Sequence, residues 1–364
     1  MKILIASNAF KGTITASQSC GVIDSVLSEL MPKSQRTICP IADGGDGTCE
    51  LLGEYLDLKR IDLMVLDAIG RSKMGFFYWD GEKKRAYIDV SSASGIGIIH
   101  TDHLNPNVAS TYGTGLVILK AIESGASEIV LGLGGTASID LGMGILHALG
   151  FAFVDENGRD LVPFSDNFLS QISHIQRPIK RFNISFICLC DVNHYFFGKN
   201  GGLRTFGPQK GLREVEFVNK EIECNNVLTL LSKKSNLKIS DQAGFGAAGG
   251  IAYGLSYFFP VSIYSGASWI FDMLSLEEKV KEIDLVITGE GRYDDQSVGG
   301  KACYELLQMA TKYKKKTILI TSGNEGIQDG FDDLILLPQL NFNSADFRER
   351  ALQNLENSLR SYFR

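Results

Sequence analysis

Several familiar catalytic signatures are missing from this chain of 364 residues. No GxxxxGK[ST] run occurs, and neither HRD nor DFG, which excludes a P-loop and a protein-kinase site. The five histidines include no HExxH pair and no serine stands in GxSxG, so hydrolase readings are weak. No GxGxxG follows the first strand-like run, which argues against a dinucleotide oxidoreductase. No apolar run reaches the roughly 18 residues of a membrane span. No Lys/Arg stripe accompanies the net charge of −6, so neither a membrane nor nucleic acid is an expected partner. The seven cysteines form no spaced framework, which fits buried thiols in a reducing compartment rather than disulfides or zinc. The opening MKILIAS is strand-like without a signal-peptide layout, and the expected location is the cytoplasm.

What is present is the rhythm of an α/β protein. A hydrophobic fraction of 44% with 21% charged residues is ordinary for a globular chain, and the length suggests two domains. Lys2–Ala6 reads as a buried strand and residues 7–12 as its loop. Thr15 to Gln18 is a capping-box pattern before a helix carrying Val22, Ile23, Val26, Leu27 and Leu30. Thr37–Ile41 is a second strand, followed by the loop 42–48 and a short helix. From Ile61 to Val90 strand-like runs alternate with turn signals, among them Asp80-Gly81, a hairpin signal. A helix at 111–125, a strand at 185–190 feeding Asp191 and a helix over 214–232 follow. The last part returns to the opening pattern, with strands at 284–288, 317–321 and 334–337 and a helix near 302–313. A final helix from Ser344 places Phe347, Ala351, Leu352, Leu355 and Leu359 on one face. The expected fold is two α/β domains. A Rossmann-like parallel-sheet domain is built from both chain ends (1–60 and 283–364), and a mixed α/β domain (61–282) is inserted.

The polar residues gather in loops after predicted strands, where open α/β sheets bind ligands. Lys11 follows the first strand and Asp43 and Asp46 the second. Asp140 and Asp191 stand after strands of the inserted domain, and Glu290, Arg292, Asp294 and Asp295 follow LVIT. Phosphoryl transfer needs cations to spread the charge of the moving group, carboxylates to hold Mg²⁺ and a base to orient the acceptor. The stretch 131–150, LGLGGTASIDLGMGILHALG, reads as strand, glycine loop and helix, a corner whose amides can face an anion. A tight βα turn with no ligand is the plainer reading of that stretch taken alone.

The landmarks also occur in a characteristic order. They are ASNAFKGT at 6–13, ADGGDGT at 42–48, Asn105-Pro106 with TYGTG at 111–115, and GLGGTASID at 132–140. CDV at 190–192, Asn200-Gly201 with FGPQKG at 206–211, GAAGG at 246–250 and TGEGRYDDQ at 288–296 with Gly300-Lys301 complete the set. In these the chain resembles the glycerate kinase type-1 family across nearly its full length. The resemblance implies phosphorylation of D-glycerate by ATP with Mg²⁺, to 2-phosphoglycerate, in a cleft between two α/β domains. ATP and D-glycerate are then the partners, and a homodimer is left open. It points to Asp191, Lys11 and Asp43 as catalytic. Lys11 would contact a phosphate or the substrate carboxylate, and Asp43 and Asp191 would hold Mg²⁺ or orient the acceptor hydroxyl. Arg292 would clamp the glycerate carboxylate, as a bidentate guanidinium can, with Asp140, Ser138 and Lys210 also on the substrate side. Gly134, Gly135 and Thr136, with Glu290 and Lys301, would serve the nucleotide phosphates.

Four loops depart from the family's pattern. Ser7-Asn8-Ala9 stands where Pro-Asp-Ser is typical, Ser92 where Glu is, Ile139-Asp140-Leu141-Gly142 where Asn-Asp-Gly-Gly is, and Cys190-Asp-Val-Asn-His-Tyr195 where Cys-Asp-Val-Asp-Asn-Pro is. Asn8 and Asn193 each remove a carboxylate, the preferred anchor for Mg²⁺. Asn8, Ser92 and Asn193 keep an alternative in view, a catalytically weakened member that binds a hydroxy acid or nucleotide in a regulatory role. The retained Lys11, Asp43, Asp140, Asp191, Glu290 and Arg292 favour the active enzyme.

Overall fold

A computed structural model describes residues 1–10, 12–293 and 301–364. In chain order its strands are β1 (Lys2–Ile5), β2 (Gln35–Ile38), β3 (Lys59–Leu66), β4 (Ser72–Asp80), β5 (Arg85–Asp89), β6 (Glu128–Gly132) and β7 (Ala152–Val154). They continue with β8 (His174–Gln176), β9 (Ser185–Cys190), β10 (Val261–Ser265), β11 (Leu285–Gly289), β12 (Lys316–Thr321) and β13 (Asp333–Leu336). The chain forms two compact units, Met1–Asp43 with Ser265–Arg364, and Gly44–Tyr264.

In the terminal unit five strands make a parallel sheet in the order β13-β12-β11-β1-β2. The chain steps from β1 outward to β2 on one side and from β11 through β12 to β13 on the other. Such a reversal parts the loops that follow the two central strands and leaves a crevice at their carboxyl ends. One face of the sheet carries Ile3, Ile5, Ile287, Ile318 and Ile320 into a single core with Ile23, Leu27, Leu355 and Leu359. Those last four lie on the helices Ala16–Leu30 and Phe347–Phe363. Leu319, between Ile318 and Ile320, points the other way and packs with Cys303 and Leu307 of the helix Ala302–Lys312. The predicted capping box forms, with Thr15 Oγ1 accepting from Gln18 N at 3.2 Å and Gln18 Oε1 from Thr15 N at 3.0 Å.

In the inserted unit the main sheet is mixed, ordered β10-β9-β6-β5-β4-β3. The pairs β3–β4 and β4–β5 are antiparallel, whereas β5–β6 and β6–β9 are parallel. Asp80-Gly81 does mark a hairpin, but Asp80 pairs with Arg85, so the loop is longer than two residues. The Asp80 carboxylate closes it by accepting the Lys83 N–H at 3.0 Å. The helix Thr48–Tyr55, which the sequence grouped with the chain ends, packs on β4, β5 and β6. Gly53 permits that approach, since a Cβ there would fall 2.1 Å from the Tyr78 ring. The Asp89 carboxylate, at the end of β5, caps this helix by accepting the N–H groups of Cys49 and Glu50. Burial pushes Asp89 up to about 7 despite those bonds. All seven cysteines are buried and unbridged.

Candidate active site

The loops that leave β1, β11, β12 and β13 line a cavity of about 890 Å³ in the terminal unit. The hydrogen bonding that joins β1 to β11 runs on past both strands, because Asn8 N donates to Gly289 O at 2.8 Å. Thr288 Oγ1 adds a bond to Ala6 O at 2.7 Å. Asn8 and Glu290 are thereby fixed on neighbouring strand ends. Asn8 Oδ1 accepts the Ala9 N–H at 2.7 Å, which turns Nδ2 toward Asp43 Oδ2, 3.1 Å away. Asp43 and Glu290 are both buried, at 5% and 6% exposure, although both line the cavity. The Lys301 ammonium stands 4.0 Å from Glu290 Oε2. Lys301 is also the N-cap of the helix Ala302–Lys312, so that helix directs its positive end to this place. Arg292 is exposed on the cavity wall. The loop after β12 is tied across to the loop after β11, with Ser322 Oγ donating to Gly291 O at 2.6 Å and Tyr293 N to Thr321 Oγ1 at 2.8 Å. Glu325 Oε2 is buried there with no hydrogen-bond partner among the described residues.

Asp43, Glu290 and Arg292, read in the sequence as residues of strand-end loops, line this cavity together with Lys301. Lys11, with Asp294 and Asp295, lies outside the described residues. Sequence reasoning missed the loop Ser322–Glu325 and the segment 336–342 that line the same cavity. Ser322-Gly323 directly after a strand was the available signal for the first. The second carries no motif at all.

In the inserted unit the predicted residues gather at the carboxyl ends of β5, β6 and β9. Asp140 is a hub. Its carboxylate accepts the N–H groups of Thr111 (2.8 Å), Gly142 (3.2 Å) and Gly144 (3.1 Å). It also accepts the hydroxyls of Thr111 (2.8 Å) and Ser138 (3.3 Å). Burial raises its pKa against the pull of those bonds. Five bonds use up the acceptor capacity of a carboxylate, so Asp140 holds the corner together. Leu141 and Gly142 follow in left-handed conformation, at φ of 53° and 71°. Lys210, which is almost fully buried, donates to Ser138 O at 2.8 Å. Burial pulls it down to about 7, and the nearby Asp140 charge resists that fall.

Thr136 Oγ1 donates to Ser94 O at 3.0 Å and lies 3.2 Å from Ser138 Oγ. The glycine corner does meet an anion, but it is the protein's own. Gly135 N donates to Asp46 Oδ1 at 2.8 Å. A Cβ at Gly134 would lie 1.9 Å from that same oxygen. Asp191 follows β9 and is half-buried beside this corner, since Leu133 N donates to Leu189 O at 2.9 Å. At the other departures, Lys73 donates its ammonium to Ser92 O, and Asn193 is exposed. His194 packs edge-on against Phe206, 5.1 Å between ring centres.

Residues 3–364 match the sequence profile described as the glycerate kinase family. The chain belongs to that family. It is 34% identical over 323 residues to the glycerate 2-kinase of Escherichia coli K12, covering 87% of this chain and 84% of that one. It is 30% identical over 368 residues to the glycerate kinase of Bacillus subtilis 168, covering 99% and 96%. A crystal structure of a Salmonella typhimurium LT2 protein, assigned as a glycerate kinase 2, superposes with a TM-score of 0.82 at 28% identity, covering 100% and 97%. As a member of the glycerate kinase family the chain is an enzyme, a phosphotransferase with an alcohol group as acceptor. Its α/β architecture is the one expected from the sequence.

Proposed function

We propose that the protein transfers the terminal phosphoryl group of ATP to a hydroxyl of D-glycerate, giving 2-phosphoglycerate, with Mg²⁺. The observation that carries the reading is the terminal-unit cavity. There two buried carboxylates, Asp43 and Glu290, share one crevice with Lys301, Arg292 and a helix N-terminus. Lys301 and the helix amides suit the phosphates, because both favour negative charge. Among the described residues no three His, Cys, Asp or Glu side chains form a metal cage. That donor set still fits Mg²⁺, which takes one or two carboxylates and completes its shell with water and phosphate oxygens. Asp43 and Glu290 are the buried carboxylates at the cavity, which Glu325 also lines, and the Asn8 amide orients the first. When bound, Mg²⁺ neutralises charge on the phosphate oxygens.

Arg292 is assigned to the glycerate carboxylate and Lys11 to a phosphate. On the inserted unit Asp191 is assigned to the acceptor hydroxyl or to Mg²⁺. Ser138 and Lys210 are assigned to the substrate, with Asp140 fixing the corner that carries them. Gly134, Gly135 and Thr136 are assigned to phosphate, which requires it to displace Asp46. Seven unbridged cysteines support a reducing, cytoplasmic setting. A second reading, binding without efficient transfer, is favoured by Asn8 alone, since an amide stands beside Asp43 where the family's carboxylate would stand. A coupled ADP-release assay with ATP, Mg²⁺ and D-glycerate decides between them. Glycerate-dependent ADP release with 2-phosphoglycerate by NMR supports the proposal. Tight ligand binding without turnover supports the second reading, and 3-phosphoglycerate overturns the assigned hydroxyl.

A further inference from the structure

The terminal-unit cavity has two ends of different chemistry. Around Glu290 and Lys301 it is polar and charged. Toward β13 and the last helix it is a shelf continuous with the hydrophobic core. Leu337 and Leu340 stand there partly buried against the core cluster, whereas Phe10 and Ile14, both 3% exposed, belong to the core itself, with Phe10 against Gly289. Above the shelf Phe342 is 63% exposed, its ring 6.0 Å from Phe347. Asn354, half-buried on the helix Phe347–Phe363, brings a side-chain amide to the cavity wall.

We infer that this apolar end is the nucleobase subsite, taking a purine between Leu337 and Leu340 and the Phe342 ring, with Asn354 reading its edge. The inference rests on the reading of this cavity as the ATP site. A purine has apolar faces and a polar rim. It therefore matches a shelf of aliphatic carbon, an exposed aromatic face and a group that can both donate and accept. A phosphate chain matches none of these, and glycerate is too small and too polar to cover the shelf. The volume of about 890 Å³ falls in the range of nucleotide-sized ligand pockets. The residues named at the base end belong to the terminal unit.

The test is calorimetric binding to the full-length protein, comparing ATP with inorganic triphosphate, each with Mg²⁺. Phe342→Ala should weaken ATP binding about tenfold, the scale of one base-stacking contact, and leave triphosphate binding unchanged. Phe342 is largely exposed, so this substitution spares the fold. Asn354→Leu, similar in size, should narrow the difference in affinity between ATP and GTP at least fivefold. ATP binding that is absent, or unaltered in both variants, overturns the inference. So does an equal loss for ATP and triphosphate. The readout needs no turnover. Failure to phosphorylate glycerate, with the ATP pattern intact, would sink the proposed reaction and leave the base subsite standing.

Discussion

Asn8 Nδ2 donates to Asp43 Oδ2 at 3.1 Å, and both residues line the terminal-unit cavity. A carboxylate at position 8 would set two like charges at that separation, so that one must bind a proton or both must share a cation. Asn8→Asp should therefore lower the Mg²⁺ concentration for half-maximal turnover several-fold at neutral pH and lower the melting temperature when Mg²⁺ is withheld. Both are read by titrating turnover and thermal unfolding with Mg²⁺. An unchanged half-saturation would remove Asp43 from the metal's donors.

Asp140 and Asp191 should respond differently to the same change. In Asp140→Asn, an NH₂ would oppose inward-pointing N–H donors from Thr111, Gly142 or Gly144. The expected cost is about 2–3 kcal/mol in urea unfolding, the penalty for buried donors left unsatisfied. Asp191→Asn should leave the unfolding midpoint within error and abolish turnover. A normally active Asp191→Asn protein would refute its assignment. A stable Asp140→Asn protein with a raised KM for D-glycerate would return Asp140 to substrate contact.

Lys210 carries a pH signature. Its ordinary value is 10.5 and burial holds it near 7 in the folded state. Between about pH 7 and 10 the unfolded chain therefore binds a proton there that the folded protein does not. Stability referred to this group rises with pH across that window and is lost as pH falls through 7. Lys210→Met removes the term. The difference in unfolding free energy, wild type minus variant, should climb from pH 7 to pH 10 and stay flat from pH 7 down to pH 5. A flat difference across the whole range would show that Lys210 is solvated in solution.

Gly134 has no room for a side chain, since a Cβ would meet Asp46 at Oδ1 (1.9 Å) and at its backbone N (2.8 Å). Gly134→Ala should cost about 1–3 kcal/mol by overpacking. Adding Asp46→Ala should recover only part of it, because the backbone contact persists. A double-mutant cycle of unfolding free energies measures the shared term. Full recovery would assign the conflict to the carboxylate alone.

The α/β alternation was legible because β1, β11 and β12 are short apolar runs that give way to small or polar residues, Ser7-Asn8, Gly289-Glu290 and Ser322-Gly323. Thr15–Gln18 and the Phe347–Leu359 stripe show why helix starts and faces read well, since both depend on residues three or four apart. What stayed hidden depends on distant partners. Asp46 follows β2, yet its acceptor is filled by Gly135, 89 residues on. Asp140 looked like a ligand-facing acid because no spacing rule shows five donors converging from two loops. β7 and β8, three residues each, are too short for alternation to register. The segment 336–342 becomes a cavity wall only once β13 is placed at the sheet edge.

The strand order also governs how the chain folds as it leaves the ribosome. β1 is made before the other strands of its sheet, but its neighbour β11 begins only at Leu285. For some 280 residues of synthesis, one flank of the β1–β2 pair has no strand to bond, and such an open edge invites pairing with other chains. The strands of the mixed sheet are complete by Ser265, so that unit can close first while the nascent N-terminus waits. Chains arrested before Leu285 should thus carry a finished inserted unit and an aggregation-prone, chaperone-binding start.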